Sequence, residues 1–418
     1  MSVPVTVLCG ELGAGKTTLL SGLLESADRD IAVLVNDVGA VNVDADLVEA
    51  RTDLATGEEV VALENGCICC SLGGELSRAV VQLWKEHEFD HLVVEASGVG
   101  EPEPIARQFV RGPAGGPYDL EAVVTVVDAR RFHDRFADVD LDEDEVPAVR
   151  GESEDDGTRP LADLVVEQVE FCDLLVVNKC DLVDADERER VVALLEALQP
   201  RADVVTAEYG GIDPDELLGV ERFDLEAASE SAGWKQAIEA DHADEGDGDH
   251  DYGHEHSGDG HDHAHPPERY GIGVDGYHRR RPFHPERFAA LLADLPDGLV
   301  RAKGLCWIAG REDQAITMSY AGTETSLEVT GRWIASFSEE RQETYRQGQP
   351  HLEWDEEWGD RETRLAVIGR DLEFDDLEDR LDDCLLTDAE MDDDWQEYDN
   401  PAPTAMGETT VISDQDPV

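Results

Sequence analysis

The segment VTVLCGELGAGKTTLLSGLL, residues 5–24, constrains this 418-residue chain more than any other. A short apolar run leads into Gly10-Glu11-Leu12-Gly13-Ala14-Gly15-Lys16-Thr17, which fits G-x-x-x-x-G-K-[ST], and leucines at helical spacing follow. A strand that turns through glycines into a helix presents loop N–H groups and a helix N-terminus to phosphate. In such a loop Lys16 reaches the β- and γ-phosphates and Thr17 binds Mg²⁺. Gly10, Gly13, Ala14, Gly15 and Thr18 complete the cradle. The strand also needs parallel neighbours, since a βα unit buries its apolar faces only within a larger sheet.

Those neighbours can be read downstream. IAVLVN, VVALE, HLVVE, AVVTVVD, DLLVVN and ADVVTA are apolar runs separated by amphipathic helical patterns such as GELSRAVVQLWKE and ERERVVALLEALQ. Strands apolar on both faces, alternating with helices, predict a doubly wound, mostly parallel α/β domain over residues 1–222. Residues 138–160 lack periodicity and are expected to form a surface loop. From 223 to 270 the chain has almost no apolar residues and reads as an acidic, His-rich disordered linker. Patterns resume at GIGVDGYHRRRPF, and the order of elements over 271–390 predicts a second, smaller α+β domain. The stretch 391–418, rich in Asp and Pro, reads as an acidic disordered tail.

The formal charge is −65, from 98 Asp and Glu against 33 Lys and Arg. Acid excess spread through every segment repels duplex nucleic acid and anionic lipid, so neither is an expected partner. It is the charge pattern of proteins adapted to high salt. No run of eighteen apolar residues occurs, and the start shows no export pattern; a soluble, cytoplasmic protein with reduced thiols is expected.

Asn178-Lys179-Cys180-Asp181 ends the apolar run DLLVV. A carboxylate there accepts from both guanine N1–H and the 2-amino group, a donor pair adenine lacks, so the motif selects GTP. Residues 206–210, TAEYG, are a candidate second wall of the base pocket. Glu95 closes HLVVE, in position to hold Mg²⁺ through water or to position the attacking water. Gly98 just beyond can offer its N–H to the γ-phosphate.

Three of the eight cysteines, Cys67, Cys69 and Cys70, fall within GCICC. Thiolates so spaced can converge on one borderline cation, zinc foremost and cobalt next, but three ligands leave a tetrahedron open. Water, a partner or a carboxylate such as Asp37 in VNDVG can complete it. In the linker, His250, His254, His256, His261, His263 and His265 alternate with Asp and Gly and can gather divalent ions weakly.

With GELGAGKTTLL, NDVGAVNVD, GCICCSL, VEASGVGEP and NKCD in this order, the chain resembles the CobW-type GTPases, metal chaperones and metal-insertion factors of the SIMIBI class. YHRRRPFHPERF, LVRAKGLCWIA and LDDCLLT resemble that family's C-terminal domain. The resemblance implies that Gly13, Gly15, Lys16, Thr17 and Thr18 hold GTP and Mg²⁺, that Asn178, Lys179 and Asp181 serve the guanine, and that Cys67, Cys69 and Cys70 serve the metal. The expected function is then delivery of Zn²⁺ or Co²⁺ to a client metalloprotein, recognised by the C-terminal domain, with GTP hydrolysis slow in the chain alone because no arginine finger is evident in the sequence. Asp37 stands where the family commonly has Glu, and Ala96 where it has Thr or Cys. Two other readings are open at this level: a cobalamin-pathway or metalloenzyme-activating factor, and a metal-buffering protein without nucleotide-gated transfer.

Overall fold

The structure, a computed structural model, describes residues 2–26, 29–35, 60–62, 74–98, 100–137, 161–230, 235, 269–322, 324–348 and 352–412. They belong to two compact units, 1–147 with 164–233 and 148–163 with 234–418.

The first unit is built on seven strands: β1 (Val3–Cys9), β2 (Ile31–Val35), β3 (Val60–Ala62), β4 (His91–Glu95), β5 (Tyr118–Asp128), β6 (Leu174–Asn178) and β7 (Asp203–Thr206). Their spatial order is β3-β2-β4-β1-β5-β6-β7, and every pairing is parallel. β4 and β6 are buried along their whole length, and β5 over its last seven residues. That explains why these runs read as continuously apolar rather than alternating. Leu19, Leu20, Leu23 and Leu24 of the helix Lys16–Ser26 pack onto Leu8, Val124 and Val176 from three neighbouring strands. Burying side chains of this size stabilises by about 2 kcal/mol each. The core therefore fixes the helix whose first turn faces the sheet's carboxyl edge. This is the doubly wound α/β fold that the strand pattern predicts.

Register brings the functional strand ends together. Leu8 pairs with Glu95, Val35 pairs with Glu95 from the other side of β4, and Asp128 pairs with Asn178. In a parallel sheet of this kind the crevice outside the carboxyl ends is where ligands bind.

The second unit holds an antiparallel sheet of β8 (Ile272–Arg279), β9 (Leu299–Cys306), β10 (Gln314–Ala321), β11 (Glu324–Arg332), β12 (Thr363–Arg370) and β13 (Thr409–Ile412), in the order β13-β11-β10-β9-β12-β8. The helices Pro285–Leu292 and Phe374–Asp382 bury Phe288, Leu291, Leu292, Leu377 and Leu381 against it. It is the smaller α+β domain expected from 271 onward.

Two boundary expectations are corrected. The supposed linker from 223 opens with a helix, Leu225–Glu230, whose Leu225 and Ala228 are buried. The supposed tail is folded to residue 412: Trp395 packs with Trp307 and Trp358, and β13 pairs with β11. Composition misleads here because one buried indole and four strand residues, TTVI, outweigh the acidic residues between them. The linker histidines His250, His254, His256, His261, His263 and His265 lie outside the described residues, as do Asp37, Cys67, Cys69 and Cys70. No helix among the described residues is long and apolar enough to cross a membrane.

Candidate functional site

Gly10 to Thr17 form a loop that leaves β1 and enters the helix Lys16–Ser26. Gly10, Gly13 and Gly15 all have positive φ, at 136°, 82° and 109°. At Gly15 this is compounded by crowding, since a Cβ would lie 2.2 Å from Asn178 Nδ2. Only glycine fits there. The Ala14 N–H donates to Glu11 O at 3.1 Å, closing the loop on itself. Lys16 is 7% exposed, and its Nζ donates to Gly10 O at 2.7 Å and Glu11 O at 3.2 Å. The ammonium is thus held inside the loop, where a phosphate chain would lie along the turn's N–H groups. Thr18 is exposed on the first helical turn.

Thr17 Oγ1 donates to Glu95 Oε1 at 3.4 Å, a long bond. Glu95 is 3% exposed. A hydroxyl and a buried carboxylate at this spacing, beside a phosphate loop, form a donor set of the hard oxygen type that suits Mg²⁺, a cation that keeps several of its waters. Gly98 lies against the phosphate loop: a Cβ on it would come within 2.7 Å of the Leu12 backbone nitrogen.

Asn178 is 1% exposed, and both polar atoms of its amide are engaged within the protein. Nδ2 donates to Ala14 O at 2.9 Å and Oδ1 accepts from the Gly210 N–H at 2.9 Å. It therefore braces the phosphate loop against the 207–211 turn, a role the sequence reading did not give it. Asp181 is exposed in the same segment. Lys179 takes a left-handed φ of 60° and its Nζ donates to Asp128 Oδ2 at 2.7 Å. Asp184 starts the next helix through a reciprocal capping box with Glu187, three residues past Asp181. Such a cap stabilises by about 1 kcal/mol and pins the loop's far end.

Sequence reasoning passed over Asp128 and Arg131. Asp128, 2% exposed at the end of β5, accepts from Lys179 and from the backbone N–H groups of Arg130 and Arg131. The Arg131 guanidinium in turn donates to Leu12 O at 2.7 Å, on the outer side of the phosphate loop. The available signal was the carboxylate closing AVVTVVD, on the strand next to β1. Arg135 pairs with Glu11 at 3.3 Å, a further tie to the loop.

The buried thiol Cys9, just before the loop, is pushed up to about 12 by burial, with Lys16 opposing the shift. Burial thus keeps this thiol protonated at neutral pH. In the second unit His278, Glu353 and Glu362 bring ligand atoms within 4.8 Å of one another, next to a cavity of about 550 Å³. Arg280 pairs with both carboxylates and Arg364 pairs with Glu362 at 3.3 Å. Two guanidiniums neutralise the two carboxylates, so the cluster is an ion-pair network rather than a cation site.

Comparison with known proteins follows this division into two units. The description "CobW/HypB/UreG, nucleotide-binding domain" matches residues 4–206, and "Cobalamin synthesis protein cobW C-terminal domain" matches residues 274–385. The chain is 32% identical over 422 residues to the zinc-regulated GTPase metalloprotein activator 1 of Dictyostelium discoideum, covering 96% of this chain and 84% of that protein. It is 34% identical over 224 residues to the zinc chaperone CobW of a Sinorhizobium species, covering 52% of this chain and 62% of that protein. Among solved structures, the Zn(II)-bound YjiA GTPase from E. coli aligns over 92% of this chain and 100% of that one, at 19% identity and a TM-score of 0.38.

Proposed function

The chain belongs to the CobW/HypB/UreG family, and from that premise we propose that it is a GTP-dependent metallochaperone: it binds Zn²⁺ or Co²⁺ at Cys67, Cys69 and Cys70 and releases it to a client protein on GTP hydrolysis. The observation that carries this reading is a shared sheet edge. β2 ends at Val35, in register with Glu95, and β3 ends at Ala62, in register with Val35. Asp37 follows the first of these ends by two residues and Cys67 follows the second by five. Glu95 itself bonds to Thr17 of the phosphate loop. The Asp37 segment therefore leaves the sheet from the strand next to the carboxylate that meets the phosphate loop, and the cysteine segment from the strand beyond it; in this reading a change in phosphate state at that edge bears on how both are held.

GTP is the substrate, gripped by the loop from Gly10 to Thr17 with Lys16 on its β- and γ-phosphates and Asp181 on the base. Thr17 and Glu95 would hold Mg²⁺, which neutralises charge on the phosphates when bound. Glu95 also orients a water for in-line attack. The water oxygen bonds to the γ-phosphorus, the bond from phosphorus to the β–γ bridging oxygen breaks, and GDP and phosphate leave, the water's proton passing to phosphate or solvent. Gly98, which lies against Leu12, offers its N–H to the γ-phosphate in this reading and loses that partner on hydrolysis. The C-terminal domain, folded to residue 412, is the client-recognising part in this reading, and the linker histidines are a weak reservoir.

Zinc affinity measured with a non-hydrolysable GTP analogue, with GDP and without nucleotide tests the proposal. A difference of tenfold or so between the first two is expected, given coupling energies of about 1–3 kcal/mol in allosteric proteins. Equal affinity in all three states removes the switch and leaves a metal buffer.

A further inference from the structure

We propose that Arg131 promotes phosphoryl transfer from behind the phosphate loop: its guanidinium fixes and polarises the Leu12–Gly13 peptide, so that the Gly13 N–H on the opposite side meets the phosphates of GTP as a stronger donor. The inference rests on the GTPase reading above and adds to it a positioning residue, in a chain whose sequence shows no arginine finger.

The turn that contains this peptide singles it out. The Ala14 N–H donates to Glu11 O at 3.1 Å, and Gly13, third of the four residues, has a φ of 82°, the signature of a type II turn. Leu12–Gly13 is the middle peptide of that turn, so the turn's own hydrogen bond uses neither its C=O nor its N–H. It is trans, and in a trans peptide these two groups point in opposite directions. The carbonyl is taken: Arg131 Nη1 donates to Leu12 O at 2.7 Å. The Gly13 N–H therefore faces away from Arg131, to the side where the loop's N–H groups collect phosphate. A Cβ on Gly13 would crowd the same Nη1 at 3.2 Å, so the missing side chain is what lets the guanidinium lie against the loop.

Arg131 is anchored for this role. It sits on the short helix Ala129–Phe132, capped by Asp128, whose carboxylate accepts from the Arg131 N–H at 3.2 Å and lies 3.8 Å from its Nε. Lys179 Nζ shares that carboxylate at 2.7 Å, so one buried anion faces two cations and the trio behind the loop keeps a net positive charge. A charged donor on a carbonyl enlarges the dipole of its peptide, and hydrogen bonds in such a chain strengthen one another. The gain is small in the ground state, because solvent screens the half-exposed guanidinium. It grows as the bond to the β–γ bridging oxygen breaks and negative charge moves onto the β-phosphate, which the loop's N–H groups hold. An arginine finger brings its charge to the front of the phosphates; here a peptide carries it from the back.

The test uses the full chain, with single-turnover phosphate release at saturating GTP, GDP affinity by calorimetry and the thermal midpoint of each variant. Arg131→Met keeps the stem and removes the charge, and should slow release about tenfold while GDP affinity changes by less than about threefold. Arg131→Lys returns a charge to the same carbonyl and should recover most of the lost rate. Such rescue separates a polarising role from a merely structural one, in which midpoint and GDP affinity fall together while the rate at saturation holds. A Met variant that hydrolyses GTP at the wild-type rate overturns the proposal. So does a Lys variant as slow as the Met one, because charge is then not what the loop receives. A wild-type chain that binds GTP and releases no phosphate overturns the GTPase reading itself and this inference with it, a result distinct from either.

Discussion

The side chain of Asn178 joins two loops of separate function: its Nδ2 donates to the Ala14 carbonyl of the phosphate loop at 2.9 Å, while its Oδ1 accepts from Gly210 of the base-side turn. In the proposed function, grip on phosphate and grip on the base are thereby one mechanical unit. Asn178→Ala leaves a buried carbonyl and a buried N–H without their partner. It should cost about 2–4 kcal/mol of stability, the sum of two such losses, and weaken GDP binding as well. Chemical unfolding with and without GDP measures both, and an unchanged midpoint in the absence of nucleotide contradicts the brace.

In the proposed function Glu95 serves chemistry more than affinity. Glu95→Gln preserves shape and the contact with Thr17 but removes the charge that would order Mg²⁺ and water. GDP affinity should change by less than about fivefold while phosphate release falls by about 100-fold or more. Single-turnover phosphate release is the measurement, and near-normal turnover would take Glu95 out of the reaction.

A buried histidine and a half-buried aspartate give opposite pH signatures in the first unit. His91, fully buried and bonded through Nε2 to Thr6 Oγ1 at 2.9 Å, is lowered to about 4, first by burial and then by Arg29. It stays neutral in the fold while the unfolded chain takes up a proton below about 6.5, so stability present above 6.5 is lost as pH falls toward 4. The shift amounts to ~3 kcal/mol. Relative to wild type, His91→Gln should therefore gain about that much between pH 6.5 and 4, by unfolding titrations across the range.

Asp173, whose carboxylate accepts from the Val123 N–H at 2.7 Å, is raised to about 6, chiefly by burial. The folded chain holds a proton there that the unfolded chain has already lost, so this contribution fades as pH rises from 3.8 to 6. Asp173→Asn keeps an acceptor for Val123 without a charge to bury. It should gain ~3 kcal/mol over wild type across that rise and keep the gain at pH 7. A constant difference across the range argues against a shifted Asp173.

Trp395 is 8% exposed and its ring centroid lies 5.7 Å from Trp358 and 6.3 Å from Trp307. Its Nε1 donates to Glu390 O at 2.9 Å. Trp395→Ala should destabilise the second unit by about 3 kcal/mol, as large-to-small core changes do. Removal of residues 391–418 should do at least as much, seen as a lowered midpoint. A truncated chain of unchanged stability would return this segment to the status of a tail.

Local chemistry made much of this protein readable from its sequence. GELGAGKT, the carboxylate closing HLVVE, NKCD and the apolar strand runs each carry their meaning within about ten residues, because loop geometry, strand burial and hydrogen-bonding type are set by near neighbours. The tertiary structure alone decided which groups share a task. Asn178 and Ala14 are 164 positions apart, Lys179 and Asp128 are 51 apart, and nothing in either segment announces the other. The same holds for Arg131 and for Trp395: one reaches the Leu12 carbonyl 119 positions back, the other is drawn in by indoles far upstream. Such contacts depend on how the sheet's register aligns distant strand ends, a global property that no window of residues contains.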